Sequence, residues 1–137
     1  RELTVPLVAQ SVVLTRTQQR STAMPDTESL SAFAATRATL VLHLAITRIR
    51  DLMAELEPQY GPQCPVVVVY RASQPTEQVL HGTIADIADA VEAAGLRRAA
   101  VILVGRALAG RPDPEAGESH LYDPVRDRST KRSGGCT

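Results

Sequence analysis

The run Pro65-Val-Val-Val-Val-Tyr70 constrains the fold more than any other feature of the chain. A half-buried strand alternates apolar and polar residues, because successive side chains point to opposite faces. Four valines in a row do not alternate. Such a strand is covered on both faces, and its β-branched residues favour an extended backbone over a helix. It needs neighbours on either side and layers above and below, which places it inside a sheet.

The rest of the chain supplies those neighbours. Ser11–Thr15, Thr39–Leu44 and Ala99–Val104 read as further strands, the last closed by Gly105. Gln78–Gly82 reads as a short strand with Val79 and His81 on one side and Leu80 on the other. Leu30, Phe33 and Ala34 fall on one helical face, with Asp26 or Thr27 as the cap. Ile49, Leu52, Met53, Leu56 and Tyr60 mark a second helix, ended by Pro58 and Gly61-Pro62. Thr83 with Asp86 resembles a capping box. Ile84, Ile87, Ala88, Val91 and Ala94 follow at helical spacing, and Gly95 stands where a C-cap glycine belongs. Arg16–Pro25 is a polar loop, Ser119–Asp123 a last extended piece, and 124–137 a disordered tail. The expected fold class is α/β: a layered domain with a central, mostly buried sheet of about five strands, flanked by helices on both faces.

Composition narrows the function. At 137 residues and 44% hydrophobic content the chain suits one domain with its own core. Lys+Arg and Asp+Glu balance at 15 each, which argues against non-specific nucleic-acid binding and a polybasic membrane anchor. The aromatic share of 3%, without tryptophan, is too small for a base-stacking platform. Cys64 and Cys136 are too few for a disulfide framework or a zinc site. His43, His81 and His120 have no ligand partner one helical turn away, so no metal site is expected. No apolar stretch approaches the roughly 20 residues of a membrane span. Together these features fit a cytoplasmic protein. Lys131 is the only lysine, and arginine suits carboxylate or phosphate partners.

No Gly-x-Ser-x-Gly, phosphate loop or Gly-x-Gly-x-x-Gly motif is present. In its apolar strand His43 reads first as a buried imidazole bonded to backbone, and His81 as a solvent-facing strand residue. Ligands of open α/β sheets gather beyond the carboxyl ends of strands. Thr15-Arg16-Thr17, Ala45-Ile46-Thr47, Arg71-Ala72-Ser73 and Gly105-Arg106 follow strand ends here. On pattern alone they read as ordinary polar loops.

Longer strings carry a resemblance. Cys64-Pro-Val-Val-Val-Val-Tyr-Arg-Ala-Ser-Gln-Pro-Thr-Glu, continuing Gln78-Val-Leu-His-Gly-Thr-Ile-Ala-Asp-Ile, is similar to the C-terminal half of the tetrapyrrole methylases of corrinoid biosynthesis. Val13-Leu-Thr-Arg-Thr, Ala38-Thr-Leu-Val-Leu-His-Leu-Ala, Ala99-Ala-Val-Ile-Leu-Val-Gly-Arg-Ala-Leu and Ser119-His-Leu-Tyr-Asp agree in the same order. Tyr-Arg-Ala-Ser and Ser-His-Leu-Tyr-Asp point to the branch that acts on precorrin-4. The resemblance covers roughly Arg1 to Asp123, which is read as the C-terminal α/β domain of such an enzyme. The family's Gly-rich N-terminal domain, which carries part of the S-adenosylmethionine site, has no counterpart in the chain.

The resemblance implies S-adenosylmethionine as methyl donor, C-11 of precorrin-4 as acceptor, and a homodimer in the full-length enzyme. It implies that His43, Leu44 and Ala45, Tyr70, Arg71 and Ala72, and Ala99 and Ala100 form one wall of the donor cleft. The tetrapyrrole is a polycarboxylate, which nominates Arg16, Arg71 and Arg106 for its acetate and propionate arms. No general base is nominated, and no metal is implied. His120 and Tyr122 border either the substrate or the dimer partner. Two other readings stay open at this point. One is a non-catalytic ligand-binding or dimerisation fragment. The other is a second branch of the family, such as a uroporphyrinogen-III methyltransferase.

Overall fold

Val66, Val67 and Val68 are all buried, as an unbroken valine run requires. They form the middle of one strand in a five-stranded mixed sheet. The computed structural model describes residues 3–17 and 23–109. The elements are β1 (Val12–Arg16), α1 (Leu30–Ala34), β2 (Thr39–His43), α2 (Ile49–Tyr60), β3 (Pro65–Tyr70), β4 (Gln78–Thr83), α3 (Ile87–Ala94) and β5 (Ala100–Val104). Short 3-10 turns occupy Asp26–Glu28, Ile46–Arg48 and Arg106–Ala109. The expected order of strands and helices is the observed one. The extended piece at Ser119–Asp123, the tail, His120, Tyr122 and Cys136 lie outside the described residues.

The sheet order is β1-β2-β5-β3-β4. β1 and β2 are parallel, while β5 runs antiparallel to both β2 and β3, and β4 antiparallel to β3. The carboxyl ends of β1, β2 and β3 therefore share one edge with the starts of β4 and β5. The end of β5 lies at the opposite edge. There Gly105 N–H donates to the Pro65 carbonyl at 3.2 Å. A Cβ at Gly105 would lie 3.1 Å from Thr39 Cα, so any side chain there would press on β2.

The main core sits on one face of the sheet. Leu40, Leu42, Val66, Val68, Ala100, Ile102 and Val104 meet Ala34 of α1, Leu52 and Leu56 of α2, and Ile87 and Val91 of α3. All three α-helices pack on this side. The other face carries Val12, Leu14, Val41, Val67, Val69, Val79, Val101 and Leu103, by their registers. None of the three α-helices covers it, which corrects the expectation of helices on both faces. Val41 and Val67 are buried there among their neighbours, whereas Leu14 at the sheet's margin is 69% exposed.

Local departures have local causes. Ser29, rather than Asp26 or Thr27, caps α1: its Oγ accepts from Ala32 N–H at 3.2 Å. Asp26–Glu28 forms a separate 3-10 turn. α2 continues through Pro58 to Tyr60 and ends at Gly61, whose φ is 84°. The Tyr60 hydroxyl anchors that last turn by donating to the Ala38 carbonyl at 2.6 Å. Asp86 accepts from Thr83 N–H at 2.7 Å, one arm of the expected capping box. The chain turns before α3 starts at Ile87, so Leu96, not the exposed Ala94, completes that helix's buried contact.

Candidate functional site

Among the described residues six non-glycine residues adopt a positive φ, and four of them stand at one edge of the sheet. Leu44 (57°) follows β2, Arg71 (48°) and Ser73 (64°) follow β3, and Ala99 (55°) precedes β5. A left-handed backbone costs an L-residue about 1–2 kcal/mol. Such strain clusters where a loop is shaped for a ligand. The edge is tied together, since Arg71 N–H donates to the Ala99 carbonyl at 2.8 Å. Tyr70 pairs with Ala100 and with Gln78, and Arg16 with His43. Strands distant in sequence thus bring Arg16, His43–Ala45, Tyr70–Ser73 and Ala99–Ala100 to one line.

These segments are largely open, but Ala45 and Ala100 are buried and belong to the main core. Arg71, Ala72, Ser73, Leu44 and Ala99 are exposed, and Tyr70 and His43 half-buried. A pocket of about 380 Å³ opens among His43, Leu44, Ala99, Ala100 and the arginines Arg97 and Arg98. Its volume lies within the range of small-molecule sites. The His43 Nε2 atom is closed from solvent and has no hydrogen-bond partner among the described residues, contrary to the backbone-bonded imidazole expected of it. Arg71 is held locally. Its Nη1 donates to Thr76 Oγ1 at 3.2 Å, and its guanidinium lies 5.3 Å from the Tyr70 ring centre.

Arg106 belongs elsewhere. It follows the end of β5, which is antiparallel, so it stands at the opposite edge from Arg16 and Arg71. The rule that sites gather after strands assigns it wrongly because it presumes parallel strands. In this mixed sheet the residues just before β5 share the edge instead. Sequence reading therefore missed Arg97 and Arg98, which the pocket includes. Their signal was their place between the Gly95 C-cap and the β5 strand.

The described residues form a mixed-sheet α/β domain with strained residues along one strand edge beside a pocket, and among them no cluster of His, Cys, Asp or Glu could hold a metal ion. Residues 1–88 match the model of the Tetrapyrrole (Corrin/Porphyrin) Methylases, and the chain belongs to that family. It is 50% identical over 130 residues to a precorrin-4 C(11)-methyltransferase of Rhodococcus erythropolis, covering 95% of this chain and 51% of that protein. It is 40% identical to the cobalt-precorrin-4 C(11)-methyltransferase of Methanocaldococcus jannaschii, over 96% of this chain and 50% of the relative. The chain spans about half the length of the curated relatives it matches. Among solved structures, a cobalt precorrin-4 methyltransferase superposes with a TM-score of 0.74 at 38% identity, over 81% of this chain and 46% of that one. A uroporphyrin-III C-methyl transferase of Thermus thermophilus, complexed with S-adenyl homocysteine, gives 0.60 at 25% identity, over 76% of this chain and 45% of that one.

Proposed function

We propose that this chain is the C-terminal domain of a precorrin-4 C(11)-methyltransferase and supplies one wall of its methyl-donor cleft. The observation that carries the reading is the cluster of left-handed residues at Leu44, Arg71, Ser73 and Ala99 beside the 380 Å³ pocket. The residues fit S-adenosylmethionine. Ala99 and Ala100 are small, so a ligand can approach their backbone closely, and Leu44 offers an exposed apolar side chain. When bound, S-adenosylmethionine would supply an activated methyl group to C-11, with S-adenosylhomocysteine leaving and a proton lost from the ring. The protein's part is to align the two partners and exclude water, which requires neither triad nor metal. Leu44 and Ala99 shape the wall, while His43, Ala45, Tyr70, Arg71 and Ala72 complete it. The tetrapyrrole acceptor, the homodimer and the cytoplasmic setting belong to the same proposal. Residues 1–123 form the domain, and the other half of the relatives' length supplies the opposite wall.

Calorimetric titration with S-adenosylhomocysteine tests it. Saturable binding by the chain, weakened about tenfold or more by Ala72→Arg through steric exclusion, is the expected result. The absence of any saturable heat supports a non-catalytic dimerisation fragment instead, and so does binding that Ala72→Arg leaves unchanged.

A further inference from the structure

We infer that Arg97 and Arg98 form the carboxylate-binding element of this site, taking acidic arms of the tetrapyrrole and leaving the methyl donor to the pocket wall. The inference rests on the proposed donor cleft and extends it to the recognition of the second substrate. The loops 71–77 and 96–99 at this edge carry Arg71, Arg97 and Arg98 against a single carboxylate, Glu77. The chain as a whole is neutral, so this edge is locally cationic.

The arginines differ in what surrounds them. Arg71 is engaged by Thr76 and Tyr70. Arg16 and Arg48 line a small cavity on the helical side together with Asp26, Glu28 and Glu55. Arg97 and Arg98 are both exposed and make no ion pair or side-chain hydrogen bond among the described residues. The nearest acids on α3 are already used. Arg50 binds Glu92 through Nε at 2.9 Å and Nη2 at 2.7 Å, and reaches Asp89 at 2.7 Å. Glu92 shares a groove with Arg97, yet its carboxylate belongs to Arg50.

The backbone that carries the two arginines is pinned at both ends. Gly95, at φ 68°, ends α3, and Leu96 is buried with its N–H on the Val91 carbonyl. Ala99, at φ 55°, is fixed from the other side by Arg71 N–H. Only Arg97 and Arg98 lie between these anchors. A short, pinned segment presents planar, fork-shaped donors at the pocket's rim, which is the geometry that carboxylates accept.

The test uses the 137-residue chain and uroporphyrin III, a fluorescent polycarboxylate, as the probe. Arg97→Gln/Arg98→Gln should weaken porphyrin binding about tenfold, the effect of losing two exposed ion pairs. It should flatten the salt dependence of binding, lower S-adenosylhomocysteine affinity by much less than porphyrin affinity, and leave the melting temperature unchanged. Arg97→Lys/Arg98→Lys should recover part of the loss. Porphyrin binding that survives the glutamine pair overturns the assignment, as does wild-type chain that ignores uroporphyrin. S-adenosylhomocysteine affinity that falls in step with the porphyrin also overturns it, since the arginines would then serve the donor. Wild-type chain that binds porphyrin but no S-adenosylhomocysteine refutes the donor cleft and leaves the arginine assignment standing.

Discussion

The Tyr60 hydroxyl reaches the Ala38 carbonyl from the far end of α2 and is buried where it does so. Tyr60→Phe keeps the ring and strands that carbonyl. Urea unfolding should show a loss of about 1–2 kcal/mol, the cost of an unsatisfied buried acceptor. The same hydroxyl has its pKa pushed up to about 12 by burial, and the buried Cys64 thiol has its own pushed up to about 11 for the same reason. Unfolded, these groups ionise near 10 and 9. Across that window the unfolded chain gives up protons that the folded one retains. Stability is therefore complete below pH 9 and declines as pH rises through 11 and on to 12. Melting temperatures across that range should show the decline, and Cys64→Ala should flatten its first part.

Elements with a regular period were legible in the sequence. The apolar positions of α2 and the valines of β3 each follow a period that only one backbone geometry satisfies. Pro58 misled because a proline in the last turn removes one bond from a helix that Tyr60 re-anchors. The candidate site was half legible. Tyr70–Ala72 and Ala99–Ala100 were placed by family resemblance, while strand direction, which local pattern does not encode, moved Arg106 away and brought in Arg97 and Arg98. Backbone conformation was not legible either, since Ala99 has none of the usual marks of a left-handed residue. Two neighbouring substitutions test that strain. Ala99→Gly should be neutral or stabilise the domain by up to about 1 kcal/mol, because glycine adopts positive φ without a clash. Ala100→Gly, one residue later in β5, should destabilise it by about 1 kcal/mol. Equal losses from both, by chemical denaturation, would show that Ala99 carries no strain.

At the scale of the molecule the sheet is two-sided in chemistry and one-sided in helix packing. Leu56 of α2 is fully buried against the sheet, and Leu14 lies largely open on the other face. Leu56→Ala should cost about 2–5 kcal/mol, the usual range for a core leucine. Leu14→Thr should change stability by less than about 0.5 kcal/mol. The same sidedness and strand order create the candidate edge, because mixing directions gathers three strand ends and two strand starts along one line. Backbone amide NMR of the chain during titration with S-adenosylhomocysteine reads that edge residue by residue. Shifts should appear at His43–Ala45, Tyr70–Ser73 and Ala99–Ala100, with Gly105–Ala109 at the opposite edge silent. Shifts centred on Gly105–Ala109, or none at saturating ligand, would contradict the proposed donor cleft.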